Sequence, residues 1–242
     1  MIIAEVGLNH LGYTHIIDDY IHTLTQTKVD GITFQIREEE YYKKKPELKL
    51  LDSQYKKIAK SIKSANKKFG IAIADINKID FLESIDIDFY KVIRNDITNK
   101  ELMKKLVATG KELIVSTGLS SDKDIENFIN EFGTKNITLN HTQLSHDPED
   151  CNLLAIQNMK EKYNCNISFG SHCDNVNVLY MSLCYNPSSI LFYVKADSFG
   201  VQFPDDEHAI FLRDIHMVLN NISELSSAIG TGTKQKMKNK IR

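Results

Sequence analysis

The 242 residues suffice for one α/β barrel or two smaller domains, and 42% hydrophobic with 26% charged residues is the balance of a folded globular chain, not a disordered one. A formal charge of -2 argues against a dedicated nucleic-acid binder. The opening Met-Ile-Ile-Ala-Glu lacks the basic start and apolar core of a leader, and no apolar run approaches the roughly 20 residues of a membrane span, so the expectation is a cytoplasmic protein. Cys151, Cys165, Cys173 and Cys184 form no Cys-x-x-Cys pair, which favours buried reduced thiols over a zinc knuckle or a disulfide framework.

In chain order, short β-rich runs at 2–6, 31–36, 70–74, 88–93, 112–116, 136–140, 166–170 and 189–194 alternate with stretches of helical apolar spacing. Ile16, Tyr20, Ile21 and Leu24 form one such stripe, and Ile125, Phe128, Ile129 and Phe132 another. Strict β-helix alternation predicts parallel strands joined by right-handed crossovers, and eight units predict a (β/α)8 TIM barrel, with an open doubly wound sheet as the alternative. Residues 38–49 are charged and lack apolar periodicity, so they read as a surface loop over the mouth of the barrel. No Pro/Gly/Ser-rich linker divides the chain, giving one barrel domain over 1–232 and a basic solvated tail over 233–242.

Barrel chemistry sits where strands end, and each predicted strand delivers polar groups there. They are Glu5, Asn9 and His10; Gln35 and Arg37; Asp75 and Asn77; Lys91, Arg94 and Asp96; Ser116 and Thr117; Asn140, His141 and Gln143; His172 and Asp174; Lys195 and Asp197. Lys91, Arg94, Arg37 and Lys195 suit a phosphate or carboxylate, and a buried Glu5 beside such cations stays ionised and can orient a hydroxyl or act as a base. His10, His141 and His172 lie on three strand ends, so a metal is open but not signalled by close spacing.

Ile3-Ala4-Glu5-Val6-Gly7-Leu8-Asn9-His10 resembles the opening motif of the sialic acid synthases. Phe34-Gln35, Tyr90-Lys91-Val92, Asp96-Ile97-Thr98-Asn99, Val115-Ser116-Thr117-Gly118, Glu149-Asp150-Cys151-Asn152-Leu153, Ser171-His172, and Pro204-Asp205 with His208-Ala209 extend the resemblance in order along nearly the whole chain. It implies the barrel, and a reaction condensing phosphoenolpyruvate with an N-acetylmannosamine-like amino sugar to give a 2-keto-3-deoxy sugar acid for polysaccharide synthesis. It further implies a base or water-orienting role for Glu5, phosphoenolpyruvate contacts for Lys91 and Ser116, sugar contacts for Gln35 and Asp96, and a divalent metal (Mn or Mg) on His172. Asn9, His10, Arg94, Gln143 and Lys195 join this set as substrate-binding candidates; the expected partners are small-molecule substrates and a second copy in a homodimer, with no membrane or nucleic-acid partner.

The departures from that pattern are specific. Thr33 stands where the resemblance implies a second lysine, Ala74 where it implies a threonine, Arg94 and Gly170 where it implies serines, and Val194 where it implies the second metal-ligand histidine. One protein imidazole should bind metal weakly. The sequence stops after Ile229-Gly230-Thr231-Gly232, so the small antifreeze-like domain that supplies a partner's arginine is expected to be absent. The rival expectation is a divergent barrel that has lost synthase chemistry and handles another sugar phosphate or anionic sugar.

Overall fold

The structure, a computed structural model, describes residues 1–93, 96–198 and 200–234. In it β1 (Ile2–Gly7), β2 (Gly31–Ile36), β3 (Lys68–Ile73), β4 (Phe89–Val92), β5 (Glu112–Ser116), β6 (Ile137–Thr142), β7 (Asn166–Ser171) and β8 (Ile190–Lys195) pair in parallel and in order. Pairing of β1 with β8 closes the (β/α)8 barrel that the alternation predicts. A two-residue strand, β9 (Ile210–Phe211), adds to the end of β8. Around the barrel run α1 (Thr14–Thr25), α2 (Glu39–Lys44), α3 (Asp52–Ser64), α4 (Ile79–Ser84), α5 (Lys100–Ala108), α6 (Asp122–Phe132), α7 (Ala155–Tyr163), α8 (Val176–Ser182) and α9 (Ile215–Ile229).

The helices form for the reason their spacing gives. In α1, Ile16, Tyr20 and Leu24 recur on one face and are buried against outward strand residues such as Ala4, Val6 and Phe34. In α6, Ile125 and Phe128 are buried, while Ile129 and Phe132 pack half-buried on the same core. Helix α6 starts at Ser121, whose Oγ accepts the Asp124 N–H while the Asp124 carboxylate accepts the Ser121 N–H, so two of the orphan donors of the first turn are satisfied.

Inside the barrel, the amino-terminal end is closed by Ile3, Phe89, Ile114 and Leu191, all fully buried, with Met1 packed beneath. Phe89 fills the axis because its neighbours on β3 and β2 have no side chain. A Cβ on Gly70 would lie 2.3 Å from its ring, and one on Gly31 3.3 Å. Gly70→Ala is therefore expected to lower stability by about 2–3 kcal/mol through overpacking. In urea unfolding, Phe89→Leu in the same chain should recover part of the loss. A neutral Gly70→Ala would show that this floor is not packed as described.

The charged stretch 38–49 is not a plain loop. It forms α2 and a 3-10 turn, Pro46–Leu48, because Tyr42 and Leu48, unpaired in any sequence period, bury themselves on Leu8. The cysteines divide: Cys151 and Cys173 are buried as expected, whereas Cys165 is half-buried and Cys184 is exposed, all as free thiols. Of the tail, residues 235–242 lie outside the described residues.

Candidate active site

The carboxyl ends of the strands open into a cavity of about 540 Å³. Gln35 and Arg37 line it from β2 and its following turn, Lys91 from β4, Ser116 from β5, His172 after β7, and Tyr193 from β8. The segment after β8, from Gln202 to His208, also lines it, as does Tyr41 of α2. A larger groove of about 1090 Å³ lies at the other end of the barrel, among Gly110, Asn136, Lys160 and Asn186. We discount it as a reaction site, because Lys160 donates to the main-chain carbonyls of Tyr185 and Asn186 and no buried charge faces it.

At the floor of the smaller cavity Lys91 Nζ donates to both oxygens of Glu5, at 2.7 and 2.5 Å. The lysine is 3% exposed and the glutamate 1%. Both residues point into the barrel because strand alternation puts them on the inner face. Glu5 stands in register with Thr33 on one side and Tyr193 on the other. Lys91 Nζ also lies 5.5 Å from the centre of the Tyr193 ring. Gly7 ends β1 at φ +55°, and a Cβ there would strike that ring at 2.8 Å, so the motif glycine both turns the chain and leaves room for Tyr193.

Above this pair stands a group of imidazoles. His172 Nδ1 bonds Thr142 Oγ1 at 3.0 Å, and its ring lies 5.5 Å from Tyr193 and 4.8 Å from His208. His208 in turn is 5.1 Å from Tyr193, edge to face, and 5.2 Å from His146, which pairs with Glu207. Burial first, and then the Lys91 ammonium and the neighbouring imidazoles, hold His172 down at about 3; burial, His146 and Lys91 hold His208 at about 4. Both rings are therefore neutral at pH 7. Neither nitrogen of His208 has a hydrogen-bond partner, although both are buried.

The structure redistributes the sequence candidates. Lys91, His172, Gln35 and Ser116 line the cavity, with Glu5 directly beneath. Asn9 and His10 do not, because the chain turns outward after Gly7. Asn9 is fully buried, donating from Nδ2 to the Val194 carbonyl and accepting the Asp205 N–H. His10 accepts the Gly12 N–H and stacks on Phe34, 6.0 Å away in the outer core. His141 likewise faces outward, bonded to the Cys151 carbonyl. Asp96 and Gln143 do not line the cavity. Lys195 turns its ammonium to Asp206, 2.8 Å away, and to the Phe211 ring. Arg94 lies outside the described residues.

Val194 also needs correction. It is fully buried in the outer core, where β9 covers it, and Tyr193 is the β8 residue that faces the cavity. Sequence reasoning left Tyr193, His146 and His208 without a role in the site; the Pro204-Asp205 and His208-Ala209 element was the available signal for the last. Gly170, in place of an implied serine, has a local reason. A Cβ there would lie 2.6 Å from Asn140 Nδ2, so its absence makes room for the buried Asn140 amide, which accepts from Ser168 Oγ.

The outward position of His10 has a consequence for acid stability. Burial lowers it to about 4, so between about 6.5 and 4 the unfolded chain binds a proton that the fold refuses. Stability is then constant above pH 6.5 and falls as the pH drops toward 4, by up to about 3 kcal/mol from this group. His10→Asn keeps an acceptor for the Gly12 N–H, and its urea midpoint should fall less steeply with pH over that window. An unchanged slope would show that His10 does not set this pH dependence.

These features define a (β/α)8 barrel with a polar, titratable pocket at the carboxyl ends of its strands. Residues 19–234 match the NeuB family model, and the chain belongs to the NeuB family, that of the sialic acid synthases. The N,N'-diacetyllegionaminic acid synthase of Campylobacter jejuni is 23% identical over 98% of this chain and 80% of its own length. The N-acetylneuraminate-9-phosphate synthase of Drosophila melanogaster is 24% identical over 71% of this chain and 53% of its own. The crystal structure of the N-acetylneuraminic acid synthetase from Leptospira borgpetersenii shares the fold with a TM-score of 0.89 at 22% identity, covering 98% of this chain and 87% of that one. Family membership supports a sugar-acid synthase function in polysaccharide biosynthesis. Among the described residues no helix is long and apolar enough to cross a membrane.

Proposed function

We propose that the protein is a transferase joining phosphoenolpyruvate to an N-acetylmannosamine-like sugar, giving a sialic-acid-like 2-keto-3-deoxy acid and phosphate. The observation that carries this reading is the buried Glu5–Lys91 pair at the floor of a cavity that also presents Ser116, Gln35 and His172. In this reaction the enolpyruvate methylene carbon bonds to the aldehyde carbon of the open-chain sugar. Water then adds to the carbon bearing the phosphate ester, and the C–O bond to phosphate breaks. The Lys91 ammonium and Ser116 hydroxyl, which line the cavity, would hold an anionic enolpyruvate. Glu5, ion-paired to Lys91, would orient the water and take its proton. Gln35 offers an amide to sugar hydroxyls. A divalent cation, where bound, would polarise the aldehyde oxygen.

One observation favours a second reading, a barrel that has left synthase chemistry for another anionic sugar. The cations near the mouth already hold carboxylates: Arg37 forks onto Glu38 at 2.7 and 2.9 Å, and Lys195 holds Asp206. Thr33 replaces the implied second lysine, and its buried hydroxyl has no partner. Incubating the protein with phosphoenolpyruvate, N-acetylmannosamine and manganese separates the two. Stoichiometric release of phosphate and keto acid supports the synthase; no release of phosphate from phosphoenolpyruvate with any amino sugar tested supports the second reading.

A further inference from the structure

We propose that His208 and His172 together form a divalent transition-metal site, moved from the end of β8 to the loop that follows it. The strand position facing the cavity is taken by Tyr193, which leaves His172 without an imidazole partner on the barrel wall. The segment 202–208 brings one back. It is held down at Asp205 by Asn9 and at Asp206 by Lys195, and these anchors set His208 over His172.

Three observations converge on the pair. First, both His208 nitrogens are buried without a hydrogen-bond partner, a desolvation cost that a ligand on that ring would offset. Second, His172 Nδ1 is bonded to Thr142 Oγ1, which orients the ring and leaves Nε2 for a ligand, the arrangement in which a second-shell group fixes a metal-bound histidine. Third, the spacing fits. With metal–nitrogen bonds of about 2.1 Å and ligand angles of about 90–110°, two imidazoles on one ion have ring centres roughly 4.5–5.3 Å apart. The observed separation is 4.8 Å.

The third histidine, His146, lies within ring contact of His208 but is engaged by Glu207. Among the described residues no three ligating side chains converge. The site is therefore a two-imidazole one whose remaining positions go to water or to oxygens of a bound molecule. Such a site holds metal loosely, so protein purified without added metal should carry less than one ion per chain.

The inference concerns the same cavity as the proposed reaction but is read without substrate, so either can fail alone. Chelator-treated protein is titrated with cobalt(II), whose visible d–d bands report imidazole ligation, and with zinc by calorimetry. One ion per chain should bind. His208→Ala and His172→Ala should each weaken binding at least tenfold, and His146→Ala less than threefold. His208→Gln, which keeps polarity and near-native size, guards against a folding defect and should also lose the cobalt bands. No saturable binding up to about 1 mM metal, or bands that persist in both His208 variants, would overturn the assignment.

Discussion

Glu5→Gln is expected to cost about 3–5 kcal/mol of stability as well as activity, because it leaves the Lys91 ammonium buried without its counter-charge. From the sequence alone the substitution looks conservative, since glutamine keeps the shape of glutamate. The structure changes that expectation. Lys91 is 3% exposed and Glu5 accepts from it with both oxygens, so neither charge can turn to water. Lys91→Met should cost a similar amount by stranding the carboxylate. The double variant Glu5→Gln/Lys91→Met should be more stable than the sum of the two losses allows, because no uncompensated charge remains. Urea unfolding of the four proteins gives the coupling energy. Strict additivity would show that the pair is not coupled, and a double variant retaining turnover would remove both residues from the chemistry.

Asn9→Ala is the second substitution with a large expected effect, although Asn9 does not touch the cavity. Its Nδ2 satisfies the Val194 carbonyl at 2.9 Å and its Oδ1 the Asp205 N–H at 3.1 Å. Tyr20 of α1 completes the joint: its hydroxyl donates to the Asn9 carbonyl and accepts the Ala196 N–H. Together these bonds tie the end of β1 to the end of β8 and to the loop that bears His208. Truncating the amide leaves two main-chain groups without partners, and should cost about 2–4 kcal/mol. The loop should also loosen, so limited proteolysis within 202–208 should accelerate at least tenfold. Near-native stability and an unchanged cleavage rate would show that Asn9 does not anchor the loop.

What the sequence could tell follows from which forces are local. The strands of the barrel are short and rich in β-branched or aromatic residues, so runs such as Gly31–Ile36 and Glu112–Ser116 stand out at their observed bounds. Glu5, Lys91, Ser116 and His172 were readable for the same reason, since each sits at or just past a strand end. The direction of a side chain beyond a strand end was not readable. His10 and Asn9 share a motif with Glu5, but the outward turn after Gly7 sends them to the core and the seam.

Facing was also hidden at β8. Which of Tyr193 and Val194 looks inward depends on the register with β1, and that pairing exists only once the barrel closes. The partners of the cations divide by distance along the chain. Glu38 follows Arg37 directly and was open to inspection, whereas Asp206 reaches Lys195 only by the fold of the intervening loop. His208, likewise, sits 36 residues from His172 and meets it only because that loop folds back over the cavity. Tyr42 and Leu48 show the same limit in reverse. They looked solvated among charges, yet Leu8 offers them an apolar surface that no local period signals.

The proposed reaction is tested most directly by the fate of phosphoenolpyruvate. The deciding measurement is a single-turnover reaction of the purified protein with phosphoenolpyruvate, N-acetylmannosamine and manganese, with phosphate and keto acid quantified together and Lys91→Met run in parallel. One phosphate should be released per nine-carbon keto acid formed, with at least a hundredfold loss in the variant. Phosphoenolpyruvate left intact by the wild-type protein, or turnover that survives loss of Lys91, would contradict the proposed reaction.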